Sequence, residues 1–402
     1  MTKLIPADQV ALPSDLKRAN RQNILKVLRT GRTMTAADIH AETGISRPTV
    51  MRALQHYCDL GVVRSLGLGS TTSMGGKKPE LFVFAEDKRI LCINLWPEML
   101  TLALCGMVGD VYAAEHHQQK LGATVREAFA QLRERVQLYL HQLELPMNRL
   151  YGVVLTVPGT VDYDERILRY NSQAPGWGAD AALDEELKTL FGDTPVYYID
   201  NAGKAAGRAV LLDHPEYADQ RMMTVFTTWG VSACMTERGH VLNGRDSLIG
   251  EIGHMIISDQ GPVLCGCGKR GCLESLVSLP NAQRLMLENG AKKSPDTFRA
   301  LFEASHAGDA AAQKTVRYLA HCFAVALHNL SLAYNQEAVI FQGDFAWADE
   351  VFDKALKSEL SEFRYYPQGK LFDIGYDRRD LPLLAARGGA ELLKKQYFAS
   401  LD

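Results

Sequence analysis

The sequence predicts an α/β protein in two parts: an N-terminal winged helix-turn-helix over residues 1–84 and a larger α/β body over 85–402. Three observations predict it. Helical periodicities separated by glycine-containing turns fill the head, followed by two short β-rich runs flanking a Gly/Ser-rich loop. Beyond residue 85, β-rich runs alternate with helical segments. A chain of 402 residues, 47% hydrophobic and 23% charged, is long enough for two or three soluble domains with substantial cores.

In the head, Leu16, Ala19, Ile24, Val27 and Leu28 fall near helical spacing, and Gly31 stops that helix. Thr35 caps the next helix, with Asp38 at its N3 position in a capping-box arrangement, and Thr43-Gly44 ends it. Ser46 caps a third helix, where Pro48 is tolerated because first-turn amides need no intrahelical partner. Val50, Leu54 and Tyr57 form its buried face; Arg47, Thr49, Met51, Arg52, Gln55 and His56 point elsewhere, and Gly61 closes it. Two helices across a tight turn, the second with an outward polar face, make a helix-turn-helix whose second helix lies in the major groove. Residues 62–64 and 81–84 read as strands. The loop between them carries Lys77 and Lys78, a wing able to reach phosphates. DNA contacts are expected from Arg47, Thr49, Arg52, Gln55, Lys77 and Lys78. For the two arginines the alternative is a solvated helix face, but their place beside Thr49 and Gln55 favours contact.

Charge supports this division. Residues 1–84 hold 12 Lys and Arg against 6 Asp and Glu, while the remainder holds 32 against 41, out of totals of 44 and 47. A basic head on an acidic body is the footprint of a protein that meets nucleic acid at one end. The N-terminus lacks the apolar core of a signal peptide, and no apolar run approaches the roughly 20 residues a membrane span needs. Five cysteines (Cys58, Cys92, Cys105, Cys234 and Cys322) are scattered among apolar neighbours, which suits reduced thiols in a cytoplasm.

The other three cysteines cluster in GEIGHMIISDQGPVLCGCGKRGCLES, residues 250–275. Cys265, Cys267 and Cys272 follow His254, and Gly266, Gly268 and Gly271 let the backbone aim three sulfurs at one point. Three thiolates and an imidazole are the closed donor set of a structural Zn2+ site, whereas catalytic zinc keeps an open position. The alternative is three free thiols on a glycine-rich loop. A metal here would pin Glu251 and Glu274 nearby, as suits the holding of a small polar ligand.

The pattern G-E-x-G-H followed by C-x-C-G-x-x-G-C-L-E resembles the signature of the ROK family of bacterial sugar kinases and sugar-responsive repressors. The head resembles that of the repressors, and the kinases usually lack one. The resemblance implies a body of two actin-like α/β lobes with a ligand cleft between them. It also implies what a kinase would need here. The Asp-x-Gly-Gly-Thr phosphate loop reads Asn94-Leu95-Trp96-Pro97-Glu98, the Gly-Thr-Gly-x-Gly loop reads Thr228-Trp229-Gly230-Val231-Ser232, and the double glycine reads Gly343-Asp344. Within the Asn-Asp-Ala-Asn motif, Asp200 falls on the asparagine and Asn201 on the catalytic aspartate, and an amide cannot take the hydroxyl proton. An enzymic role is therefore not expected.

The sugar side fares better. Glu251, His254 and Glu274 match family positions that bind sugar hydroxyls, Asn171 matches the Asn-x-x-x-Gly-Trp region, and Asp200 and Asn201 can still hydrogen-bond a hydroxyl. The duller alternatives are support of the zinc loop for the two glutamates and a turn cap for Asn171. Trp177 reads as packing. The stripe Val316, Leu319, Ala320, Phe323, Leu327 and Leu330 is either core or, by the resemblance, part of a subunit-pairing helix. A homodimer on operator DNA is expected, with a tetramer as the larger alternative. The expected effector is a sugar or sugar phosphate. An active kinase with an appended head and a repressor governed by a sugar-transport protein remain the other readings.

Overall fold

The computed structural model describes residues 13–69, 78–108, 111–162, 164–171, 174–193, 195–259, 261–366 and 369–401. The head comprises α1 (Pro13–Leu28), β1 (Met34–Thr35), α2 (Ala36–Thr43), α3 (Arg47–Asp59), β2 (Val63–Leu68) and β3 (Glu80–Phe84). Thr35 accepts the Asp38 amide while the Asp38 carboxylate accepts the Thr35 amide, so the capping box is formed. Gly44 ends α2 at φ +69°. Ser46, by contrast, makes no side-chain cap; its hydroxyl lies 2.9 Å from that of Thr49 instead. Leu16 and Ala19 do not join the core: both are exposed, and α1 is buried only at Ile24, Leu25 and Leu28. A third strand that the sequence reading missed, β1, pairs with β3 through Met34↔Phe82 and Thr35↔Leu81.

The body repeats one topology twice. Its first lobe holds β4 (Arg89–Leu95), β5 (Met99–Gly106), β6 (Val111–Gln118), α4 (Val125–Gln142), β7 (Leu150–Val157), β8 (Thr160–Asp162), β9 (Ile167–Tyr170), β10 (Ala181–Ala182), α5 (Leu183–Phe191), β11 (Val196–Asn201) and α6 (Ala202–Asp213). The second holds β12 (Arg221–Thr227), β13 (Val231–Glu237), β14 (His240–Val241), α7 (Leu273–Leu276), α8 (Leu279–Glu288), α9 (Phe298–His306), α10 (Ala310–Tyr334), β15 (Ala338–Gly343), α11 (Glu350–Glu362) and β16 (Asp373–Asp377), and the chain then runs into α12 (Leu381–Ala399). The main sheets run β11-β7-β4-β5-β6 and β14-β13-β12-β15-β16. In each, an antiparallel meander of three strands is extended by two parallel ones on the far side of its first strand. Parallel additions need helical crossovers, which supply the covering helices.

The predicted stripe on α10 is interior: Val316, Leu319, Ala320, Phe323 and Leu327 are buried in the second lobe's core, with Leu330 packed against it. Trp177 is buried and donates its indole N–H to the Gly122 carbonyl, a packing role. Although it follows the second lobe in sequence, α12 lies against α6 and the first sheet. Its C-terminal residues Leu393, Tyr397 and Phe398 share one apolar cluster with Ile24, Leu28 and Tyr57 of the head. Among the described residues no helix is long and apolar enough to cross a membrane.

Candidate effector cleft, metal centre and DNA-reading face

The knuckle at residues 254–272 is built by backbone pairing. Leu264 bridges Arg270, the Cys265 amide donates to the Lys269 carbonyl, and Ile256 bridges Cys272. Gly271, at φ +77°, could not carry a side chain, because a Cβ there would lie 1.7 Å from the Ser258 carbonyl oxygen. The result brings the donor atoms of His254, Cys265, Cys267 and Cys272 within 4.8 Å of one another. Cys267 and Cys272 sulfurs stand 3.7 Å apart, and the Cys265 sulfur is 3.5 Å from His254 Nδ1. Zn–S bonds of about 2.3 Å and Zn–N bonds of about 2.0 Å give tetrahedral edges of about 3.8 and 3.5 Å. The four side chains therefore fit a tetrahedral ion in both chemistry and size.

The cleft lies beside the knuckle. At one end it is lined by Gly159, Asn171, Asn201, Glu251, His254 and Glu274, so five of the six sugar-contact candidates come together. His254 directs Nδ1 at the cysteines and still borders the cleft. One Glu274 carboxylate oxygen accepts the Val231 amide at 3.0 Å and the other lies 3.7 Å from the Cys265 sulfur. Glu251 accepts the Thr160 hydroxyl at 3.4 Å, and burial holds its carboxyl above the ordinary glutamate range against the pull of His254 and Lys204. Asn171 is buried against the Pro158-Gly159 turn.

Asp200 does not join them. Successive strand side chains alternate in direction, so when Asn201 faces the cleft its neighbour faces away. The Asp200 carboxylate accepts Tyr198 Oη and Arg208 Nη1, the latter at 3.2 Å, in a buried cluster. It is removed from the set of candidate ligand contacts.

At the other end of the cleft, Trp96 from the β4–β5 turn and Trp229 from the β12–β13 turn meet edge to face, 5.1 Å between centroids, and Phe226 braces Trp96 at 6.0 Å. Beyond this partition the walls carry Glu98, Asp296 and Asp344, Glu274 borders both sides, and no lysine or arginine lines them among the described residues. Burial raises the Asp344 carboxyl to about 6. The resemblance put Trp96 on a loop glycine and Trp229 on a loop threonine; that the two indoles would meet each other required the fold.

On the head, Arg47, Arg52 and Gln55 are exposed along the outer face of α3, and Lys78 is exposed at the foot of the wing. Thr49 is half-buried, its hydroxyl accepting from Arg52 at 3.3 Å, and Gln55 donates to Asp59. Lys77 lies outside the described residues. His56 turns toward the body, its Nε2 2.9 Å from the Leu401 carbonyl oxygen.

Comparison with protein families matches the ROK family over residues 91–374 and the IclR helix-turn-helix domain over residues 23–67. The chain belongs to the ROK family. Among its ROK relatives, the xylose repressor of Bacillus spizizenii is 22% identical over 354 residues, covering 88% of this chain and 89% of the relative. The glucokinase of Halalkalibacterium halodurans is 25% identical over 313 residues, covering 74% of this chain and 92% of its own. The crystal structure of a ROK transcriptional regulator described as a homologue of the E. coli MLC protein superposes at TM-score 0.74 and 20% identity, covering 96% and 98% of the two chains. The alignment with the glucokinase thus spans less of this chain than either regulator comparison.

Proposed function

We propose that this chain is a DNA-binding repressor of sugar-metabolism genes whose operator affinity is set by a sugar or sugar phosphate in the cleft. Residues 1–84 are the reader and 85–402 the sensor. The observation that carries this is the joining, in one chain, of an exposed cationic α3 to a cleft with a polar wall at one end and an acidic, indole-partitioned wall at the other. Repressor relatives align along nearly the whole chain, which supports it. Asn171, Asn201, Glu251, His254 and Glu274 hold the sugar hydroxyls, pairing donors with acceptors. Zinc bound by His254, Cys265, Cys267 and Cys272 fixes the loop that carries Glu274 and, through the His254 Nδ1 bond, leaves the other ring nitrogen for the ligand.

Arg47, Arg52, Thr49 and Gln55 read the major groove, while Lys77 and Lys78 serve the wing. A homodimer places two heads on two half-sites, and the protein works in the cytoplasm. The nucleotide end supports a non-enzymic role: a polyphosphate would face an acidic lining, with Lys293 near Asp296 as a cation at its edge.

The test is selection of a binding duplex from a random pool, followed by anisotropy titration against a panel of sugars and sugar phosphates. One member of the panel is expected to weaken the complex. If none does, and the purified chain converts ATP to ADP with any hexose, the kinase reading replaces this one. If sugars are inert but a sugar-transport protein releases the duplex, the effector is that protein.

A further inference from the structure

The C-terminal helix touches both functional ends of the molecule. At its first turn, Asn94 at the end of β4 donates Nδ2–H to the Pro382 carbonyl at 2.9 Å, while its Oδ1 accepts the Thr156 hydroxyl. A carbonyl can only accept, so the Asn94 amide orientation is fixed, and a carboxylate could not make this bond. Midway along α12, Gly388 is seated on α6: a Cβ there would lie 1.8 Å from the Ala205 carbonyl oxygen. The helices meet through small residues, Ala202, Ala205, Ala206 and Ala209 against Leu384 and Ala385. At the far end, the Arg29 guanidinium sits 3.8 Å over the Phe398 ring and His56 of α3 meets the Leu401 carbonyl. With 19 residues, α12 spans about 28 Å.

The second helix of the pair starts in the cleft. Asn201, on the cleft wall, caps α6 by accepting the Gly203 and Lys204 amides at 2.8 and 3.2 Å. Its Nδ2–H donates to the Gly159 carbonyl at 2.7 Å. Here too an amide both accepts and donates where a carboxylate could only accept. Asn94 and Asn201 thus each tie a strand end near the cleft to a backbone carbonyl and, in turn, to one of two tightly crossed helices.

We propose that Asn94 is a positioning residue for effector-controlled DNA binding, acting through α12, which together with the Asn201-capped α6 carries the state of the cleft to the recognition helix. This rests on the proposed function for its biological meaning, but the mechanical link is a property of the chain alone. Coupling between sites is reciprocal, so a disturbance at either end must be felt at the other.

The experiment uses amide hydrogen exchange on the full chain, without operator or effector. Exchange reads local opening, which is what a loosened contact changes. Asn94→Leu removes the donor at similar size, and Arg29→Met removes the cation over Phe398 at the opposite end. Asn94→Leu is expected to speed exchange in α2 and α3 by about five-fold or more, with lobe-two strands β12 and β15 unchanged. Arg29→Met is expected to speed exchange at the start of α6, and the double variant to fall short of the sum of the two effects.

A purely local role for Asn94 would open only the first turn of α12 and leave the head at wild-type rates; that result overturns the proposal. So does an Arg29→Met effect confined to the head. Should Asn94→Leu not fold, the Arg29→Met response at α6 decides by itself. A protein that bound no DNA would sink the proposed function and leave this coupling measurable.

Discussion

The two ends of the cleft have met opposite demands. At the knuckle end, Asn171, Asn201, Glu251, His254 and Glu274 converge from four segments; Asn201 and Glu274 are held by backbone groups, Glu251 by the Thr160 hydroxyl, and His254 stands against the cysteine cluster. At the indole end, Trp96 and Trp229 occupy the turns that the ROK resemblance assigns to phosphate binding, and the lining beyond them is acidic. Both ends sit on the same pair of repeated sheets, so the scaffold does not explain the contrast. The difference lies in a few turn residues: on the proposed reading, polar groups at one end suit hydroxyls, whereas indoles and carboxylates at the other disfavour polyphosphate. One fold can therefore carry clefts lined for different ligands, the choice resting on turn residues.

The largest test of that contrast is removal of the knuckle. Cys272→Ser should abolish stoichiometric zinc in metal analysis of the purified protein and lower sugar affinity by about 100-fold, the upper end of effects on metal-site supports. Retention of full sugar affinity without zinc would detach the polar wall from the metal.

Next in size is Glu251→Gln. Losing a charge-assisted hydrogen bond costs about 1.5–3 kcal/mol, or about 10- to 150-fold in Kd by calorimetry. An unchanged Kd would return Glu251 to a supporting role.

Smaller is the effect of Asp344 at the acidic end. An acid whose folded pKa is raised to about 6 destabilises the native state above that pH, and the penalty is relieved as pH falls from about 6 toward 4. Asp344→Asn should therefore raise Tm by about 2–4 °C at pH 7.5 and leave it unchanged near pH 4. An equal gain at both pH values would point away from ionisation.

The smallest expected effect is none. Asn201→Asp should not yield ATP-dependent sugar phosphorylation, because a carboxylate at that position does not remove Trp96, Trp229 or the acidic lining beyond them. Detectable ADP release above wild type would break the contrast between the ends.

Much of this was legible before any coordinates. The knuckle is local, with its ligands within nineteen positions, and the spacing of Cys265, Cys267 and Cys272 carries it. The Thr35–Asp38 box and Gly44 are likewise local rules, and both operate. Ser46 follows the same rule on paper, yet its hydroxyl turns to Thr49, and Leu16 keeps helical period without a surface to cover. Asp200 was misplaced because strand alternation decides which of two adjacent polar residues sees the cleft. The contact of α12 with β4 left no trace in sequence: Asn94 and Pro382 are 288 positions apart, and nothing near either one signals the other.

Thr35 has a double appointment in the head. It is the last residue of β1, paired with Leu81 of the wing, and at the same time the cap of α2. Wing and helix-turn-helix are thereby riveted at a single residue. On the proposed DNA-reading role, the offset between α3 and the strands that bear the wing is then set within the head, so operators differing in that phase by a base pair should be told apart.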